Sequence, residues 1–279
     1  MHPSNSAHLF GEQTFLHNLV KDHVDFVYDG NLEGLQGAIV SVRGNDNLRY
    51  VKELNAELAK LQWCIVIVTG NENSTNFYKQ IEHPNCKIWL QTPKLDDEAD
   101  YYLGFGVPTD INRNLEDAGI SLFCKENVAR AIDWFFAGQV THQRRIDCAE
   151  ALKELPGSEV IETAGFQQGL PYIEYLKKLS DSKYVACPGA QATMDTFRLY
   201  EALEMGCVPV IDKEASMYYK KIFPGNPFIE VFSWQSLKSW NSWNVVKHWA
   251  VDSAICSAWW FETKQKILSD LFNQVIEMS

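Results

Sequence analysis

The stretch 181–211, DSKYVACPGAQATMDTFRLYEALEMGCVPVI, constrains the fold more than any other part of the chain. Residues 183–187 form a short β-rich run that ends at Pro188 and Gly189. Residues 193–205 then place Phe197, Leu199, Ala202 and Leu203 at helical spacing, and Gly206 stands where a helix-terminating glycine belongs. Residues 208–211 are a continuous apolar run, as a strand buried on both faces requires. Strand, helix and strand in that order make one βαβ unit. Its strand-to-helix turn offers backbone N–H groups and the positive end of a helix to an anion, often a phosphate.

The same alternation recurs upstream. Strands are expected at 38–42, 63–68 and 87–90, with an amphipathic helix at 48–61. A short helix at 14–21, a small strand at 26–28 and a helical turn at 77–81 complete this part. A second series starts with a strand at 134–137, turns at Gly138, and continues as a helix at 144–155, a strand at 160–163 and a helix opened by Pro171 that runs to 179. Strands alternating with helices across short turns mean parallel α/β sheets. The 279 residues suit two domains, 1–128 and 129–279, each Rossmann-like. Residues 254–278 read as one long helix carrying Trp259, Trp260, Ile267, Leu271 and Val275.

Composition removes several classes. The formal net charge is −11, and the first 128 residues hold 10 Lys and Arg against 18 Asp and Glu, which is the opposite of a basic stripe along a duplex. The seven cysteines are scattered without a C-x-x-C pair, so they read as reduced and structural, and no zinc-ligand spacing exists. The acidic run 94–100, KLDDEAD, reads as a solvated face rather than a metal-binding D-x-D site. Residues 101–108, YYLGFGVP, fit either a ligand cleft or a strand and turn. The start, MHPSNSAHLFGEQ, has neither a basic n-region nor an apolar h-region, and no apolar run is long enough to span a bilayer.

The order of residues in the central unit is more specific than its shape. Ser182, Tyr184, Pro188, Gly189, Thr196, Arg198, Glu201, Ala202, Gly206, Cys207, Pro209, Val210 and Ile211 follow a pattern that resembles the donor-binding segment of exostosin-like glycosyltransferases, of the GT-B superfamily. The likeness is strong over 181–211 and looser over 134–234, where FFAG with a following Arg, and PFIEVFSW, are similar to further family segments. It implies a GT-B fold, two Rossmann-like domains facing a central cleft, with the acceptor side in 1–128, the nucleotide-sugar donor side in 129–279, and a C-terminal helix crossing back. It also implies inverting transfer of a sugar from a nucleoside diphosphate sugar, UDP being the expected nucleotide, to a hydroxyl on a glycan or lipid-linked saccharide, with no obligatory metal or other cofactor. Eukaryotic relatives are usually membrane-anchored, so the start of this chain points to a bacterial or viral cytoplasmic enzyme or an isolated catalytic core.

Such a transfer must stabilise a diphosphate leaving group, hold a nucleoside and take a proton from the acceptor. For the diphosphate, the turn from Gly189 through Thr193 and Thr196 supplies N–H and O–H donors, and Arg198 supplies a planar guanidinium fork. The bland role for Arg198 is an ion pair with Glu201, three residues on. Arg144 and Arg145 follow the turn at Gly138, and adjacent helical residues diverge by about 100°, so one of them is expected at the diphosphate. Glu201 is the expected holder of the ribose diol, because a carboxylate accepts two hydroxyls at once. The general base is assigned to Asp46, after the first strong strand, with His23, Asp25, Asp29 and Glu72 as alternatives. Two other functions stay open: a viral transferase acting on a hydroxymethylated base in DNA, and a non-catalytic nucleotide- or sugar-binding module.

Overall fold

The computed structural model describes residues 11–23, 32–43, 48–70, 76–108, 111–117, 119, 130–165, 168–239 and 248–279. The chain forms two compact units. The first comprises Met1–Thr109 with Thr263–Ser279, and the second Asp110–Glu262.

In the first unit α1 (Gly11–Val20) precedes β1 (Gly37–Arg43), α2 (Leu48–Leu58), β2 (Trp63–Thr69), a 3₁₀ turn at Phe77–Gln80, β3 (Cys86–Gln91) and β4 (Tyr101–Leu103). The four strands are parallel and lie in chain order. From Cys64 to Val68 β2 is fully buried, which explains its unbroken apolar sequence, WCIVIV. The strand expected at 26–28 lies outside the described residues. The acidic run departs from a solvated face: Asp97 is 4% exposed, accepts from the Tyr78 hydroxyl at 3.1 Å, and caps the turn by accepting from Lys94 N at 2.7 Å. Asp100 likewise accepts from Ile88 N at 2.8 Å. Residues 101–108 resolve into β4 and an irregular segment in which Gly106 has φ +66°.

The second unit holds α3 (Ile111–Asp117), β5 (Ile132–Gln139), α4 (Gln143–Lys153), β6 (Ser158–Thr163), α5 (Tyr172–Ser180), β7 (Ser182–Ala186), α6 (Phe197–Glu204), β8 (Val208–Asp212), α7 (Lys213–Ile222) and β9 (Ile229–Val231). Its five strands are all parallel, in the order β6-β5-β7-β8-β9. The chain therefore goes from β5 outward to β6, returns, and continues on the other side from β7. Strand order reverses between β5 and β7, and in open α/β sheets ligands bind beyond the carboxyl ends of the strands at that reversal. Helix α6 ends as its sequence demands: Gly206 has φ +64°, Cys207 N donates to Ala202 O at 2.8 Å, and Gly206 N donates to Leu203 O at 3.1 Å.

The last helix, α8 (Trp249–Met278), contributes to both units. Its Trp260 indole donates to Glu204 at 2.8 Å in the second unit. In the first, Gln274 accepts from the Trp89 indole at 2.8 Å, and Ile267 and Leu271 are buried. No helix among the described residues is long and apolar enough to cross a membrane.

Candidate functional site

The loops that leave β5 and β7 bound one crevice in the second unit. After β5 the chain turns at residues 140–142 into α4, and after β7 residues 187–196 lead into α6. Helix α6 starts at Phe197, four residues later than its apolar spacing indicates. Asp195, fully buried, is the reason. Its Oδ1 accepts from Thr196 N at 2.9 Å and from the Tyr200 and Tyr219 hydroxyls, both at 2.9 Å. These bonds hold Thr196 extended, at φ −155°, and keep residues 193–196 out of the helix. Thr193 Oγ1 accepts from Asp195 N at 3.1 Å, so that hydroxyl builds the loop. Thr196 is the N-cap residue but makes no side-chain capping bond, and His142, the N-cap of α4, makes none either. By contrast, α7 is capped by Asp212, whose Oδ1 accepts from Ala215 N at 3.0 Å. The N-cap side chains of the two helices at the crevice thus accept from no first-turn N–H group.

Arg198 rises from α6 onto the end of β5. Its Nε and Nη2 donate to Ala137 O at 3.0 and 2.6 Å, and its guanidinium lies over the Phe136 ring, 4.7 Å from the centroid. The residue is 8% exposed, and Nη1 is buried with no hydrogen-bond partner among the described residues. Gly138 makes the approach possible, since a Cβ there would stand 2.2 Å from Arg198 Nη2. Arg145 comes from the first turn of α4, with Nε and Nη1 each 3.4 Å from a carbonyl, those of Gly189 and Gln139. Burial and then the neighbouring Arg198 charge push Arg145 down to about 10. Among the described residues, neither Arg145 nor Arg198 has a carboxylate at ion-pair distance. Two neighbouring like charges, one buried and one half-buried, are costly unless an anion completes them.

The adjacent Arg144 has a different surrounding. Its Nε pairs with Asp212 at 3.2 Å, its Nη2 pairs with Glu214, and its Nη1 reaches Met194 Sδ at 3.0 Å. Asp212 also accepts from the Trp234 indole at 3.0 Å. Arg144 therefore ties the loops after β5, β7 and β8 together, leaving Arg145 as the cation without a carboxylate. Beside Gly189 the space is tight, with a hypothetical Cβ 3.1 Å from Arg144 Nη1 and from Met194 Cα. Beyond Arg144 a pocket of about 390 Å³ is lined by Asp147, Asp212, Phe232 and Trp234 among others. Phe232 is 76% exposed there, with Lys213 Nζ 5.2 Å from its ring centroid.

Glu201 is buried, not spread along an open wall, at 6% exposure. Oε1 accepts from the Tyr172 hydroxyl at 3.2 Å and Oε2 from Tyr175 at 2.9 Å. Burial raises its carboxyl above the ordinary range, while the Tyr175 bond, the Arg198 charge and the Tyr172 bond pull the other way. No ion pair joins it to Arg198 within the described residues, so the simple salt bridge expected at three-residue spacing is absent. Each carboxylate oxygen keeps a lone pair for a further donor.

Asp46, and with it Asp25, Asp29 and Glu72, lies outside the described residues. His23 packs its ring edge-on to Phe272 at 5.6 Å. Among the described residues no group of three or more His, Cys, Asp or Glu is arranged to hold a metal ion. Tyr172 and Tyr175 carry a signal that was available in sequence, two phenols three residues apart on a helix beginning at Pro171. His142 was available too, directly before Gln143-Arg144-Arg145. No protein-family model matches this chain, and no curated protein matches it.

Proposed function

We propose that this protein is a nucleotide-sugar-dependent glycosyltransferase of GT-B type, and that the crevice between β5 and β7 takes the diphosphate of its donor. The single observation that carries the reading is the pair Arg145 and Arg198, the first half-buried and the second buried, without a carboxylate partner among the described residues, at the reversal point of a parallel sheet. A diphosphate supplies the missing charge and accepts from Arg198 Nη1 and from the uncapped starts of α4 and α6. Developing charge on the leaving group is stabilised by the same fixed donors, with no reorganisation at the moment of transfer.

On this reading Glu201, oriented by two tyrosine hydroxyls, accepts the ribose diol, and UDP is the expected nucleotide. The sugar has the neighbouring pocket, where Phe232 offers an exposed ring face and Asp147 a hydrogen-bond acceptor. The acceptor is a hydroxyl on a glycan or another molecule, and Asp46 remains the proposed base. Two separate parallel sheets agree with the GT-B plan, and the acidic first 128 residues disfavour modified DNA as acceptor. The test is a melting experiment with UDP and a UDP-sugar panel without added metal, followed by assay of UDP release with oligosaccharide or hydroxymethylated DNA. A ligand at one hundred times its Kd stabilises the native state by about 2.7 kcal/mol, so UDP should raise the Tm by several degrees. No shift with any nucleoside diphosphate defeats the reading; a shift without UDP release leaves a binding module.

A further inference from the structure

Two cysteines of the first unit sit side by side on adjacent strands. Cys64 is the second residue of β2 and Cys86 the first of β3, and the two are register partners in this parallel pair. Register partners project to the same face of a sheet. Cys64 belongs to the buried cluster with Leu58, Leu61 and Val66, and Cys86 packs against that same cluster. Neighbouring parallel strands lie about 4.8 Å apart, inside the Cα separation of about 4.4–6.8 Å that a disulfide spans. The two thiols differ in access to water. Cys64 is fully buried and Cys86 half-buried, whereas the other described cysteines, Cys148, Cys187, Cys207 and Cys256, are all buried. They differ in acidity in the same sense. Hydrogen bonding with Cys64 holds the Cys86 thiol below its ordinary value, against burial and the Asp100 charge, while the same contact and then burial push Cys64 up. As a thiol, Cys86 Sγ makes a weak bond to Lys87 O at 3.6 Å.

A reachable sulfur with a second thiol beside it is the arrangement that peroxide chemistry uses, one thiolate to attack and one thiol to resolve the product. We propose that Cys86 and Cys64 form a reversible oxidation site, in which Cys86 reduces a hydroperoxide and Cys64 closes the disulfide. The Cys86 thiolate attacks one peroxide oxygen and the O–O bond breaks. The other oxygen leaves with a proton, as water or an alcohol, and Cys86 becomes a sulfenic acid. The Cys64 sulfur then attacks the Cys86 sulfur. The Cys64 proton departs with the sulfenic hydroxyl as water, and an S–S bond joins β2 to β3. Each sulfur has lost one electron and the peroxide has gained two. A dithiol returns both thiols by exchange. Parallel partners keep their Cβ atoms about as far apart as their Cα atoms, the wide end of what a bridge spans, so the bond is readily reduced. Both cysteines lie in the first unit, and their chemistry is independent of the crevice in the second.

The test oxidises the full wild-type chain with a small excess of hydrogen peroxide, digests it without reduction and maps the cysteines by mass spectrometry. The expected product links the Cys64 and Cys86 peptides, forms at least about tenfold faster than any oxidation of Cys148 or Cys256, and disappears when the folded protein is treated with dithiothreitol. In Cys64→Ala, which keeps a small apolar side chain in the core, dimedone should trap the Cys86 sulfenic acid about tenfold more than in wild type. In Cys86→Ser, Cys64 should stay a thiol under the same treatment. Wild-type Cys86 that accumulates as sulfinic acid without a link to Cys64 overturns the proposal, and so does oxidation of Cys86 no faster than that of Cys256. A link that dithiothreitol cannot remove from the folded protein makes the bridge structural and also overturns it. Should Cys64→Ala not fold, the wild-type map alone decides.

Discussion

Replacing Arg198 by methionine separates a ligand-binding guanidinium from a scaffolding one. In the free protein the change removes two bonds onto one carbonyl, Ala137 O, and the contact with the Phe136 ring. An orphaned buried carbonyl costs about 1–3 kcal/mol, and the ring contact contributes about 1 kcal/mol. Against this, the variant no longer buries Nη1 without a partner, worth about 1–3 kcal/mol, and no longer sets two cations side by side. The opposing changes leave a net within about 2 kcal/mol of zero, so the Tm of the free protein should move by no more than ~6 °C. Donor binding loses at least the charge-assisted bond from Nη1, about 1.5–3 kcal/mol, which is roughly 10–150-fold in Kd. Calorimetry with UDP and a melting curve on the same sample read both quantities. A large fall in Tm with unchanged UDP affinity would refute the reasoning, because it would make Arg198 a strut for the end of β5.

Glu201→Gln should weaken UDP binding about tenfold, since a charge-assisted pair of bonds becomes neutral. Its stability should also respond to pH in a defined direction. A carboxyl raised on folding contributes stability that is fully present below about pH 4.5 and lost as pH rises through its folded value. The Tm of the glutamine variant relative to wild type should therefore be higher at pH 7 than at pH 4, and the reverse order would sink the assignment. Asp212→Ala removes the cap of α7, the partner of the Trp234 indole and one of two carboxylates on Arg144. Breaking a buried, multiply bonded carboxylate costs about 3–5 kcal/mol, so the Tm of the free protein should fall by ~10 °C, as scanning calorimetry would measure.

The strands were legible because burial on both faces leaves no alternative to a continuous apolar run, and β2 and β8 show it plainly. The end of α6 was equally legible, since Gly206 has a backbone conformation that other residues rarely adopt. Its start was not. Thr193 to Thr196 look helical by spacing, and only the distant Tyr219 and the buried Asp195 explain why they stay out of the helix. Asp97 escaped for the same reason, because its partner Tyr78 lies nineteen positions away and acidic runs usually face water. In the site, Arg198 and Glu201 were recognisable from their order in the segment, and so was the divergence of Arg144 from Arg145. Which of the two would remain without a carboxylate depended on Asp212 and Glu214, brought in by a different βαβ unit.

Helix α8 has a consequence for the order in which the protein is completed. The second unit is one continuous run, Asp110–Glu262, and every residue of it is synthesised before Thr263–Ser279. The first unit begins earlier but needs Thr263–Ser279, which supply Ile267 and Leu271 to its interior and an acceptor to the Trp89 indole. The unit synthesised first is thus the last to be closed, and until then the apolar ground that Leu271 covers has nothing from its own helix upon it.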